Sequence, residues 1–150
     1  MKLLFATDLR EPKSVTDQIQ SLSISLNAEL YIVHVHIPTS TTPLGVDPMS
    51  GFGEIAYAMY DPAIENAVIE AERHDFDHFV LDRFAVKVRP ALHQGDPARV
   101  ILDDAVELNI DMIVLAKRRH SAIERILLGS VSDTVAREAS IPVLLMPIVK

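Results

Sequence analysis

Apolar residues in this chain fall in short unbroken runs, separated by stretches where they recur every three or four positions. Leu3 to Thr7 is a run without alternation, which suits a strand covered on both faces, as in a parallel sheet. Pro12 suits the first turn of a helix, and Val15, Ile19, Leu22 and Leu26 follow at helical spacing. Asn27-Ala28-Glu29 turns the chain into Leu30 to Ile37, a second strand rich in β-branched residues. Pro38 to Gly53, dense in Pro, Gly, Ser and Thr, reads as a long loop of the kind that carries function or moves.

Asp61-Pro62 has the form of a cap and first turn, with a start nearer Glu54 as the alternative. The apolar stripe expected on that helix is Ile64, Ala67, Val68 and Ala71. Phe84 to Leu92 alternates weakly and predicts a third strand. Gly95-Asp96-Pro97 is the clearest helix start, a glycine turn, an Asp cap and Pro at the first helical position. Ala98, Ile101, Leu102, Ala105 and Leu108 share one face of the helix it opens. Asp111 to Ala116 predicts a fourth strand, Lys117 to Glu124 a basic connection, Gly129 to Ala139 a last helix, and Pro142 to Ile148 a fifth strand. Five strands alternating with four helices imply one doubly wound α/β domain over residues 1–150, a five-stranded parallel sheet with helices on both faces. Ligands of such sheets bind beyond the C-terminal strand ends, where the strand order reverses.

Composition narrows the function classes. The chain is 49% hydrophobic and 23% charged, which is globular composition. A formal net charge of −7 disfavours nucleic acid and anionic membrane surfaces. The absence of cysteine excludes disulfides, thiol catalysis and cysteine-bound metals. The opening apolar run reaches Asp8 too soon for a signal peptide, and no run approaches a membrane span, so a cytoplasmic location is expected.

The chemistry concentrates in Ala116-Lys117-Arg118-Arg119-His120 and the segment after it, which reaches the last helix through Gly129-Ser130. A helix N-terminus offers unpaired N–H groups and positive partial charge, and glycine lets a phosphate approach that backbone. With Ala6-Thr7-Asp8, His34-Val35, Gly95-Asp96-Pro97-Ala98, Leu127-Leu128-Gly129-Ser130-Val131 and Ile141-Pro142-Val143-Leu144-Leu145, the order and spacing resemble the universal stress protein family over essentially the whole chain. The resemblance implies strand order 3-2-1-4-5 and a regulatory or stress-response module binding ATP or AMP, with Mg²⁺ accompanying ATP, at the ends of strands one and four. By the same resemblance Asp8 faces the ribose or adenine, Val35 and Leu115 line the base, and Gly129, Ser130 and Ser132 meet phosphates. Ala6, Thr7, Ala116, Arg119 and Val131 complete the nucleotide-binding set that the resemblance implies.

ATP-binding members carry G-x2-G-x9-G-[S/T] after strand four, and here Ala116 and Arg119 stand at the first two glycine positions. Losing a glycine that needs left-handed backbone costs about 1–2 kcal/mol, whereas a guanidinium on phosphate contributes about 1.5–3 kcal/mol. The alternative is a dimeric interaction protein that has lost nucleotide binding. An enzyme of the wider nucleotide α-hydrolase type is a third reading. No residue reads as a base for activating water, so at most slow ATP hydrolysis is expected. The resemblance also implies a homodimer through Pro142 to Ile148, an uncharged edge strand that self-pairing would cover, with Val143 and Leu145 at the interface.

Two histidine pairs stand outside that pattern. His34 and His36 share one face of strand two, where a structural hydrogen bond is favoured over catalysis. His74 and His78 have the i, i+4 spacing of a metal pair, against a solvated helix face as the plainer reading.

Overall fold

The computed structural model describes residues 1–38, 61–118 and 131–148, with the side chains of 117 and 118 excepted. The chain order is β1 (Lys2–Thr7), α1 (Lys13–Ser25), β2 (Glu29–His36), α2 (Pro62–Arg83), β3 (Val88–Gln94), α3 (Pro97–Glu107), β4 (Met112–Arg118), α4 (Val131–Glu138) and β5 (Val143–Ile148). All strand pairs are parallel, in the order β3-β2-β1-β4-β5. The expected doubly wound α/β sheet with strand order 3-2-1-4-5 is the observed one.

Alternation along the strands divides the core in two. Leu3, Phe5, Leu30 and Ile32 pack with Val15 and Ile19 of α1 and Phe76 and Phe79 of α2. Leu4, Val33, Ile113 and Leu115 face the other way, against Ala98, Ile101 and Ala105 of α3 and Val135 of α4. Right-handed crossovers that step first one way from β1 and then the other must put their helices on opposite faces. The step reverses between β1 and β4, and there the strand ends part.

Helix ends follow local chemistry. Asp96 accepts from the Arg99 N–H at 2.9 Å, and Asp61 from the Ala63 N–H at 2.8 Å, each before a proline. Both α1 and α3 stop at a Leu-Asn pair. Asn27 and Asn109 take φ of 48° and 52°, and the Ala28 and Ile110 N–H groups reach back to the Ser23 and Ala105 carbonyls at 2.9 Å.

Several expectations are corrected. The third strand does not begin at Phe84. Helix α2 runs to Arg83, Phe84 caps it and packs in the core, and the strand starts at Val88. The expected stripe of α2 is outward: Ile64 is 64% exposed, and Ala67, Val68 and Ala71 are also exposed. The buried side holds Glu65, Ile69, Phe76 and Phe79, because two large rings and a paired carboxylate outweigh small apolar residues in choosing which face turns inward. Strand β4 continues two residues past Ala116 into the run expected to be a loop. Val143 and Leu145 are half-buried and pack against the α3 and α4 side of the core. The Pro38 to Gly53 loop lies outside the described residues beyond Pro38.

Candidate functional site

A cleft of about 1030 Å³ opens at the C-terminal ends of the strands. Its floor is Ala6 of β1, Val33 and Val35 of β2, and Leu115 and Ala116 of β4. One end is formed by Val131 and Ser132, which open α4, beside Pro97 and Ile101 of α3. The opposite wall is α2, which contributes Glu72, Asp75, His78, Phe79, Asp82 and Arg83. Thr7 to Glu11, the loop leaving β1, closes the remaining side.

That loop is built around a buried carboxylate. Glu11 is 5% exposed and takes the Thr7 hydroxyl at 2.6 Å and the Asp8 N–H at 3.2 Å. Thr7 Oγ1 in turn accepts the Leu9 N–H at 2.9 Å, and Asp8 Oδ1 accepts the Arg10 N–H at 3.0 Å. These bonds hold Leu9 at φ 66°, a left-handed conformation uncommon for a branched apolar residue. Burial pushes the Glu11 carboxyl above its ordinary pKa, with the Asp8 charge in the same direction and the Thr7 hydrogen bond opposing.

A second network ties α2 to β2. His36 is 3% exposed, with Nε2 2.7 Å from Glu65 Oε1 and Nδ1 2.9 Å from Glu72 Oε2. His34 Nδ1 lies 2.9 Å from the Thr7 carbonyl, which requires the proton on Nδ1, and Nε2 is 3.6 Å from Glu72 Oε2. The two histidines share a face as expected, and both make structural bonds.

Of the residues implied by the family pattern, Ala6, Thr7, Asp8, Val35, Leu115, Ala116, Val131 and Ser132 converge on this one cleft. Arg119, Gly129 and Ser130 lie outside the described residues. Sequence reasoning singles out His78 of the α2 wall, as half of a histidine pair, and misses Glu11, Glu72, Asp75, Phe79, Asp82 and Arg83. The signal for Glu65 and Glu72 was their seven-residue spacing, which places both on one helix face. Among the described residues no group of three or more His, Asp or Glu is arranged to hold a metal ion. The His74 and His78 rings have centroids 4.4 Å apart with planes tilted by 53°; both side chains are exposed, and His78 lines the cleft.

The sequence model of the universal stress protein family matches residues 1–147. The chain belongs to the universal stress protein family. Universal stress protein MJ0531 of Methanocaldococcus jannaschii is 25% identical over 126 residues, 84% of this chain and 69% of that protein. Stress response protein NhaX of Bacillus subtilis is 36% identical over a shorter stretch of 53 residues, 35% of this chain and 32% of that protein. Among solved structures, a universal stress protein in complex with cAMP superposes with a TM-score of 0.64 at 20% identity, over 99% of this chain and 98% of that one. Hypothetical protein MJ0577 superposes with a TM-score of 0.68 at 20% identity, over 99% and 96%. At that identity the superpositions show the shared fold of universal stress proteins. Among the described residues no helix is long and apolar enough to cross a membrane.

Proposed function

We propose that this universal stress protein is a regulatory module whose cleft binds an adenine nucleotide, ATP or AMP, with Mg²⁺ accompanying ATP. The observation that carries the reading is the convergence of Ala6, Asp8, Val35, Leu115, Ala116, Val131 and Ser132 on one cleft of about 1030 Å³. That volume stands at the upper end of ordinary ligand pockets, roughly 300–1,000 Å³. Apolar Val33, Val35 and Leu115 suit a purine face, and Asp8 suits ribose hydroxyls.

Electrostatics orients the ligand. Glu72, Asp75 and Asp82 make the α2 wall acidic, so a polyphosphate there would meet like charge. The α4 end, where the positive end of the helix dipole and the Ser132 hydroxyl meet the cleft, is the favourable end for phosphates. The nucleoside therefore lies toward β2 and the phosphates toward α4. The cAMP complex of a fold relative supports the same chemical class of ligand.

Calorimetric titration with ATP and AMP tests this. A dissociation constant in the micromolar range, about −8 kcal/mol, is expected. Ala116→Arg, which fills the floor between β1 and β4, should weaken binding by at least tenfold. An absence of binding by the wild type would overturn the nucleotide reading and favour an interaction protein that has lost its ligand. We further propose a homodimer formed along the free edge of β5, where backbone groups of a half-buried apolar strand lie at the sheet margin.

A further inference from the structure

His36 sits where a neutral imidazole cannot satisfy its neighbours. Both ring nitrogens are at hydrogen-bond distance from carboxylate oxygens, 2.7 Å to Glu65 and 2.9 Å to Glu72. A neutral ring has one N–H, so with two carboxylates one contact would set lone pair against lone pair. The geometry is satisfied only when two protons are shared among the three groups. They are held either as imidazolium with two carboxylates or as neutral imidazole with one carboxylic acid. The cluster charge is −1 in both forms.

We propose that His36, Glu65 and Glu72 form a proton-held latch that fastens helix α2 to the end of β2, and that loss of one proton to water as pH rises loosens this wall of the cleft.

Among the described residues few titratable groups reach the latch. From α2, Glu65 and Glu72 are the charged groups that act on His36. On β2 itself His34 lies two residues earlier on the same face and reaches the latch only through Glu72, at 3.6 Å. On β3 the register partner of His36 is neutral Gln94, and the Gly95 N–H binds the His36 carbonyl at 3.0 Å. His93 pairs with Val35 and turns to Asp104, 3.2 Å away. From β1, Thr7 is neutral and already bonded to Glu11. Burial disfavours the charged imidazole, but the hydrogen bonds and charges of Glu65 and Glu72 outweigh it and raise its pKa above 6.5.

The sign of the linkage follows. A group with a raised folded pKa contributes stability that is fully present below its unfolded pKa and lost as pH rises through the folded one. Each unit of elevation is a factor of ten in the folding equilibrium. The latch is therefore closed below the folded His36 midpoint, which, against burial, its carboxylate partners set above the ordinary imidazole value, and opens as pH rises through it. Deprotonation takes the cluster from −1 to −2 and leaves a repulsive contact at Nδ1 or Nε2. Glu72 lines the cleft, so the wall it belongs to changes with the latch. This last link, regulation of nucleotide binding, rests on the reading of the cleft given above.

Glu65→Gln isolates the proton. A Gln amide can donate to Nε2 while Nδ1–H donates to Glu72, so a neutral imidazole is then fully satisfied in the same shape. The full-length protein is followed by NMR titration of the His36 ring, by α2 amide exchange corrected for intrinsic rate, and by ATP affinity across pH. In the wild type we expect both His36 nitrogens protonated below the midpoint and a midpoint above that of free histidine. Protection of α2 should fall at least tenfold through that midpoint, and the ATP dissociation constant should rise at least threefold. In Glu65→Gln the midpoint should drop and the pH dependence of α2 should vanish. If that variant does not fold, Glu72→Gln on the more exposed partner should lower the midpoint in the same way.

A His36 midpoint at or below that of free histidine, or α2 protection unchanged through it, would overturn the latch. Absence of ATP binding at every pH would remove the nucleotide reading while the ring titration and amide exchange still decide the latch. ATP binding that does not follow an observed opening would overturn the regulatory step.

Discussion

At the scale of single residues, one backbone position and one carboxylate carry clear consequences. Gly95 has φ 138°, and a Cβ there would meet Val100 Cγ2 at 3.5 Å, an ordinary contact. Space is therefore not the constraint, and backbone conformation is. Gly95→Ala should destabilise the fold by about 1–2 kcal/mol in chemical denaturation, and a neutral effect would show that the β3–α3 turn relaxes. Glu11 is the second case. Its raised pKa means that its ionisation opposes folding, so its contribution falls as pH rises from 4.5 through the folded value. Glu11→Gln keeps an acceptor for the Asp8 N–H and has no charge to desolvate. The variant should lack that segment of the wild-type stability profile, and an unchanged profile would show that Glu11 does not titrate there.

At the scale of elements, the edges of the sheet differ. β3 carries Pro90, which removes a donor and is compatible with an edge, and Arg89, which pairs with Glu29 at 3.4 Å. β5 also has a proline, Pro147, but it stands next to the strand's last residue, and no charged residue lies between Val143 and Ile148. That contrast is why the proposed self-association is placed at β5. Because Val143 and Leu145 are part of the core, lysines there would test folding as much as assembly. Leu144 is equally half-buried and packs against the α1 and α2 side of the core, so a lysine there is read beside a folding control. Light scattering should report a dimer for the wild type and a monomer for Leu144→Lys with unchanged helical circular dichroism. A monomeric wild type would refute assembly through β5.

At the scale of the whole molecule, three of the described residues have a proton affinity raised by the fold, and they act in one direction. Burial raises Glu11 and Asp104, and the carboxylates around His36 raise that histidine against its own burial. Each contributes stability that is lost with rising pH. The formal net charge of −7 adds self-repulsion that eases as carboxylates become protonated. The Glu11 and Asp104 contributions begin to be lost above 4.5 and 3.8, and that of His36 above 6.5, so His36 is the group expected to lower stability in urea denaturation between about pH 6 and about pH 9. A profile that rises through that window would mean that His36 does not dominate there.

The sequence by itself determined the architecture and the place of the cleft. Unbroken apolar runs alternating with helical periodicity admit few arrangements other than a parallel doubly wound sheet, because each parallel pair needs a crossover and crossovers have one hand. Strand-end residues such as Ala6, Val35 and Leu115 were legible for the same reason, since the fold fixes where strands end. The orientation of α2 was decided only by tertiary structure. Ile64, Val68 and their neighbours form a plausible apolar stripe in isolation, yet the helix turns Phe76, Phe79 and Glu65 inward. A buried carboxylate is unfavourable until a partner compensates it. That partner is His36, twenty-nine residues earlier on another element. Periodicity reads one element at a time, so a contact whose energy belongs to a pair of elements appears only when both are in place.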